Sequence, residues 1–447
     1  MKKILIGIPL LLLALVFGLA ALAGITPSFI IYGPGVGSGI GSKLLCSAEY
    51  VTQQPRDQAV TDLVQYSPIL SELTIAYDPA NQAVTTSLFG LAEKTATFIP
   101  GLGCAVDYDG VNARHAVVAD TPGTSSRPWP LGGGVTTIDP ALQALTETIV
   151  AEDNAAGRNT RALLVVHHGV IRAEAYAQGA DAQTPLLGWS MAKSLMAIML
   201  GNLEMRGLID LSGKPGFTGW QDERAEIGIT DLLTMTDGLA FSEQYNPGDD
   251  ATAMLFTEPS MSDYVLAAPQ LNSPGTVFNY SSGTANLLSR LHHDTLGGPQ
   301  AAYDDFMTHV FRPMSFQHAV FEMDASGVFA GSSYFYASAR DWARMGQLML
   351  NEGEINRHRI VTADWVRRAT TPNSSTNDRA YGYQWWLNRG NAQLRYRDLP
   401  EGAFFANGNR QQRLMVVPSE GAVIVRLGWT GDGYPVNDNF SRLLDAL

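Results

Sequence analysis

Between residues 188 and 200 the chain reads GWSMAKSLMAIML, its most apolar stretch outside the N-terminus, and this stretch contains a lysine. Leu195, Ile198, Met199 and Leu203 recur at helical spacing, and Gly207 stands where such a helix ends. A helix this apolar has to lie in the interior, so the rest of the fold must enclose it. Burial disfavours a charged lysine and can lower its pKa by several units. Ser190, three residues before Lys193, falls on the same helical face, with Cβ atoms about 5–6 Å apart. It also sits at the helix N-terminus, where the dipole favours developing negative charge. A serine hydroxyl is a poor nucleophile until something takes its proton, and a desolvated lysine can do so. The same spacing arises by chance on surface helices; the apolar setting of Lys193 is what distinguishes this pair.

Lysine is scarce throughout. The 447 residues include 24 arginines but only six lysines (Lys2, Lys3, Lys43, Lys94, Lys193 and Lys214), with none after Lys214. The 43 acidic residues outnumber the 30 basic ones for a net charge of −13, which works against a nucleic-acid surface. At 45% apolar and 16% charged the chain can bury a large core, and disorder is excluded as a class.

The N-terminus carries Lys2 and Lys3, an apolar run over residues 4–23 and the small-residue pattern Ala21-Leu22-Ala23. Residues 1–25 are therefore expected to be a signal peptide or a membrane anchor, placing the remainder outside the cytoplasm, periplasmic or secreted. Cys46 and Cys104 are the only cysteines. They lack the paired spacing of zinc ligands and are expected to form one disulfide in an oxidising compartment.

Composition then divides the chain. Residues 26–43, with five glycines in 33–41, read as a Gly-rich tether. Residues 44–119 read as a small β-rich segment, with two strands around the Asp78-Pro79-Ala80-Asn81 turn. The Pro, Gly and Ser of 120–136 mark a linker, and 137–447 is one larger domain. In that domain Asp139-Pro140 opens a helix to about residue 156, strands follow at 161–167 and 170–177, a helix-rich middle spans 190–350, and strands return at 402–407, 413–418 and 422–427 before a closing helix. Strands at both ends and helices between them predict an α/β sandwich with an inserted helical region.

Tyr280-Ser281-Ser282 is the second chemical element. A tyrosine beside a serine–lysine pair can pass a proton to a leaving group, and Ser282 can hydrogen-bond Lys193; by itself the triplet reads equally as a core Tyr before a helix cap. Gly188-Trp189-Ser190-Met191-Ala192 nearly matches the G-x-S-x-G elbow of α/β-hydrolases, but that reading leaves Lys193 and Tyr280 unexplained. His167 and His168 point to opposite faces of a strand and read as turn or edge residues rather than metal ligands. Trp385 and Trp386 read as core.

Together GWSMAKS, ITDLLTMTDGL (229–239), FNYSSGTANLL (278–288) and YGYQWW (381–386), in this order, resemble the penicillin-recognising serine hydrolases, more specifically the class C β-lactamase-related branch that includes 6-aminohexanoate-dimer hydrolase and several carboxylesterases. The resemblance covers about 137–447. It implies a β-lactamase-like α+β sandwich, an antiparallel sheet flanked by helices beside an all-helical region. It also implies Ser190 as acylated nucleophile, Lys193 as its base, Tyr280 as second acid/base, and no cofactor or metal. Where relatives with β-lactam chemistry carry Lys-Thr-Gly, this chain has FFANGN (404–409) and no lysine. Gly408 keeps the close backbone approach, Asn409 N–H is expected to join Ser190 N–H as the oxyanion hole, and Asn407, Gly408 and Ser282 are expected to border the substrate. Arg410 is the neighbouring cation in sequence. The expected function is cleavage of a small-molecule ester or amide through an acyl-Ser190, with β-lactamase or D-alanyl-D-alanine carboxypeptidase activity as the alternative. A non-catalytic cell-wall module is disfavoured because Ser190, Lys193 and Tyr280 are all intact.

Overall fold

The computed structural model describes residues 26–121, 123–431 and 433–447. The signal peptide or anchor expected at residues 1–25 lies outside the described residues. Among them, no helix is long and apolar enough to cross a membrane.

The 26–43 tether expectation is overturned. Residues 33–41 lie inside helix α1 (Pro27–Ser47), capped by Thr26. Glycine disfavours an exposed helix, but here the missing side chains let the helix dock. A Cβ at Gly39 would lie 2.1 Å from the Phe256 carbonyl oxygen, and one at Gly41 would lie 2.8 Å from Leu73. Backbone contact with the rest of the protein replaces the packing that side chains would supply. A second helix, α2 (Arg56–Val64), follows, and residues 44–119 therefore open on helical structure before reaching strands. Strands β1 (Leu73–Asp78), β2 (Ala83–Leu88), β3 (Leu91–Ile99) and β4 (Gly103–Val106) form an antiparallel meander beneath α1. Cys46 on α1 is bonded to Cys104 on β4 across 58 residues. Closing a loop of that length is worth about 4 kcal/mol in the chain-entropy account.

The 120–136 linker is held against the large domain. Arg344 donates to the Pro130 carbonyl at 2.8 Å and the Gly132 carbonyl at 2.5 Å, and Arg340 to the Gly133 carbonyl at 2.6 Å.

Helix α3 (Pro140–Ala155) begins as expected, with the Asp139 carboxylate accepting from the Ala141 and Leu142 N–H groups. β5 (Thr160–His167) and β6 (Val170–Tyr176) form a hairpin, and the short β7 (Leu186–Leu187) leads into helix α4 (Met191–Met205). The helical middle continues through α5 (Ile229–Leu233), α6 (Asp250–Phe256), α7 (Met261–Leu266), α8 (Ser282–Leu296) and α9 (Pro299–Phe306). β9 (Phe335–Ala337) pairs with both β7 and β8 (Ala319–Phe321), α10 (Ala339–Leu350) follows, β10 (Glu354–Ile355) and β11 (His358–Arg359) make a short hairpin, and α11 (Ala363–Ala369) closes this part. The chain then returns to the sheet with β12 (Trp386–Leu387), β13 (Phe404–Gly408), β14 (Gln412–Val417) and β15 (Ala422–Gly428), and ends in α12 (Val436–Leu444).

The main sheet runs β12-β13-β14-β15-β5-β6, antiparallel throughout. The N- and C-terminal strands of the large domain meet in its interior at β5 and β15, where Val425 faces Leu164 and Val423 faces Val166. Alternation explains the unbroken apolar run of β5. Leu163 and Val165 join a core with Leu142, Ile149 and Phe440 on one face, while Ala162, Leu164 and Val166 join a larger core around α4 and α10 on the other. Helix α4 is buried from Met191 to Leu203. The sandwich with an inserted helical region is the architecture the residue pattern implies.

Candidate active site

The four motifs interlock around the start of α4. The Ser194 hydroxyl donates to the Gln384 carbonyl at 2.6 Å, and the Gln384 side-chain amide donates to the Leu232 and Leu233 carbonyls at 3.1 and 2.8 Å. The Thr284 hydroxyl donates to the buried Asp237 carboxylate at 2.8 Å, and the Asn279 N–H to the Met235 carbonyl at 2.9 Å. Burial pushes the Asp237 carboxyl up to about 6. Each contact joins a residue of one motif to a residue of another.

Ser190 is the N-cap of α4, and Trp189 before it is held at φ +48°, a left-handed conformation costly for a bulky residue. The strain coincides with tight backbone packing. A Cβ on Gly408 would lie 2.0 Å from the Gly188 carbonyl oxygen, and a Cβ on Gly188 would lie 2.1 Å from Trp342. The end of β13 and the residues before the nucleophile thus touch backbone to backbone, as the retained Gly408 implied.

Lys193 is wholly buried, and its Nζ donates to Ser190 Oγ at 3.0 Å, Ser282 Oγ at 3.0 Å and the Ser332 carbonyl at 2.9 Å. Among the described residues no carboxylate lies within ion-pair distance of it. Burial pulls its pKa down to about 8, with Glu243 pushing back by Coulomb attraction. The neutral amine is accessible near physiological pH, and its lone pair has the Ser190 hydroxyl as a neighbour.

Tyr280 sits across from this pair, with Lys193 Nζ 5.0 Å from its ring centroid. Burial and then Glu243 push its phenol up, while the Ser190 hydroxyl and Arg413 pull it down. Its ring packs on Trp386, centroids 5.1 Å apart, and edge-on against Tyr381 at 6.0 Å. Trp386 is half-buried and shapes the Tyr280 side of the site, whereas Trp385 is core against Phe404. Glu243 accepts from the Ser282 N–H and hydroxyl, both at 2.6 Å, and from the Tyr245 hydroxyl at 2.7 Å. It fixes Ser282 with its oxygen toward Lys193.

Two arginines lie close to the end of β13. Arg410 adopts φ +57° and lays its guanidinium over Tyr66, 4.0 Å from the ring centroid. Arg413, opposite Asn407 in the β13 and β14 register, is the cation whose field reaches Tyr280. Its Nη1 donates to the Gln412 carbonyl at 2.7 Å, and its Nη2 bonds Gln411 Oε1. Asn407 Oδ1 is buried without a partner, and the Asn409 side chain is exposed, its Oδ1 accepting from the Arg410 N–H.

Ser190, Lys193, Tyr280 and Ser282 are therefore brought together, and Gly408 abuts the nucleophile's loop. Glu243, Ser332 and Arg413 were missed. Ser332 acts through a backbone carbonyl, which leaves no trace in residue identity; Glu243 lies four residues beyond the TMTDGL motif, and that adjacency was the one available signal. His167 and His168 do not lie on opposite faces as expected: His167 ends β5, His168 sits in the turn after it at φ +50°, and their rings stack 4.0 Å apart. Among the described residues no cluster of three or more His, Cys, Asp or Glu side chains is placed to hold a metal ion.

Comparison with known proteins gives the same architecture. A Bacillus anthracis protein described as a 6-aminohexanoate-dimer hydrolase superposes with a TM-score of 0.55 at 18% identity, over 76% of this chain and 89% of that one. A family VIII carboxylesterase gives 0.53 at 15% identity, over 70% and 98%, and a class C β-lactamase 0.53 at 13%, over 68% and 96%. These likenesses are of fold. The Beta-lactamase family model matches residues 144–439, about two-thirds of the sequence and all four motifs, and the chain belongs to that family of hydrolases.

Proposed function

We propose that the protein is a serine hydrolase that cleaves a small-molecule ester or amide through an acyl-enzyme on Ser190. The observation that carries this reading is Lys193, buried, without an ion-pair partner and 3.0 Å from Ser190 Oγ. Neutral Lys193 takes the hydroxyl proton as Ser190 Oγ attacks the carbonyl carbon. The resulting oxyanion is held by the Ser190 and Asn409 N–H groups; one such donor is commonly worth 10²- to 10³-fold. Tyr280 delivers a proton to the departing alcohol or amine. Water then attacks the acyl-enzyme by the reverse route, returning Ser190.

Ester or amide is favoured over a β-lactam or D-alanyl peptide because no lysine follows Lys214. Arg413 is no ready substitute, since both of its terminal nitrogens are already engaged by Gln411 and Gln412. The Cys46 and Cys104 disulfide supports an extracytoplasmic location. Incubation with a fluorophosphonate followed by peptide mapping tests the reading. An adduct on Ser190 with p-nitrophenyl ester turnover is expected; an unlabelled Ser190 contradicts the enzyme, and efficient hydrolysis of a chromogenic cephalosporin contradicts the substrate class.

A further inference from the structure

A cavity of about 560 Å³ lies between the N-terminal module and the reaction centre, within the size range of small-molecule sites. Gly33, Val36, Gly37 and Ile40 of α1 form one wall; Trp189, next to the nucleophile, and Asn409 belong to the other. Tyr245, which hydrogen-bonds Glu243, also lines it, Leu70 and Leu88 add apolar surface from the module, and Asn246 and Arg410, the latter stacked on Tyr66, form a polar part of the lining. Helix α1 precedes the family-matched segment, so this wall is not supplied by the part of the chain that makes the fold.

We infer that this cavity is the subsite for an apolar acyl chain, and that the N-terminal module is the specificity element of the enzyme. The inference rests on the hydrolase reading above. Tyr280, Tyr381 and Trp386 do not line the cavity. If Tyr280 serves the leaving group, the leaving group lies on the aromatic side and the other substituent of the carbonyl faces Trp189 and Asn409, into the cavity. Gly33 of α1 fits the same role, whereas a Cβ at Gly37 would lie 2.8 Å from Leu88. A Cβ at Gly33 would meet nothing nearer than the Phe29 ring of its own helix, 3.4 Å away, so the absence of a side chain there leaves space in the cavity.

The test is a series of p-nitrophenyl esters (acetate, butyrate, octanoate) with the full chain. Each methylene buried in the cavity is worth about fourfold, so kcat/KM for octanoate is expected to exceed that for acetate at least tenfold. Gly33→Leu and Val36→Phe, which fill the cavity from α1, should each reduce the octanoate-to-acetate ratio at least tenfold. That ratio does not depend on the fraction of folded protein. A flat series in the wild type, or a ratio unmoved by both variants, overturns the subsite while acetate turnover and Ser190 labelling leave the hydrolase reading standing. Loss of all ester turnover together with an unlabelled Ser190 in the wild type removes both.

Discussion

Two lysines lie in the interior, 2% and 0% exposed, and the chief difference in their surroundings is a carboxylate. Lys43, on α1, is ion-paired to Glu322, donates to Ser47 Oγ at 2.9 Å and sits 4.0 Å from the centroid of Tyr334. Lys193 has two hydroxyls and a carbonyl but no ion-pair partner. Burial lowers the pKa of both, and Glu322 opposes the fall at Lys43 far more directly than Glu243 does at Lys193. Burial thus acts on both amines, and only Lys43 has a carboxylate in contact to hold its proton. The Lys43–Glu322 pair also ties the N-terminal module to the large domain.

Replacing each lysine should have opposite consequences, one for turnover and one for stability. Lys193→Met removes a general base and is expected to lower kcat/KM for an ester by about 10²- to 10⁴-fold, read by steady-state kinetics. Lys43→Met strands Glu322 without its cation and is expected to cost about 3–5 kcal/mol in a denaturation titration, with kcat/KM per folded molecule unchanged. Adding Glu322→Gln should restore part of that loss.

The pH dependence of stability sharpens the contrast. The Lys193 pKa is about 8 in the folded protein against 10.5 for a free lysine, so between those values the unfolded chain holds a proton that the native state has lost. Wild-type stability therefore gains about 3 kcal/mol from this group as pH rises across that window, and Lys193→Met should lack the gain when the two proteins are unfolded side by side. A smaller effect is expected from Glu243→Gln. Removing the carboxylate withdraws support from the ammonium, so the rising limb of kcat/KM against pH should move below its wild-type position near 8 by less than about one pH unit.

The comparison also marks where the sequence could be read. Ser190 and Lys193 were legible because helical spacing sets their geometry locally, and β5 was legible because a strand buried on both faces is apolar at every position. Tyr280 and Ser282 were legible through motif order. Glu243 and Arg413 were not, since only tertiary placement of a loop and of a neighbouring strand brings them to the site. Arg410 is the neighbouring cation in sequence, but its side-chain direction was not legible, because a left-handed backbone lays the guanidinium onto Tyr66. The glycines of α1 were misread as a tether because local helix propensity argues against them, while close docking on Phe256 and Leu73 decides the matter.

Activation of Ser190 by a neutral Lys193 can be read from the rate of Ser190 phosphonylation, followed by intact mass from pH 6 to 10 in wild type and Lys193→Met. The predicted result is a wild-type rate that climbs through a pKa near 8 to a plateau, with labelling lost in the variant. A rate independent of pH, or a variant labelled as fast as wild type, would contradict it.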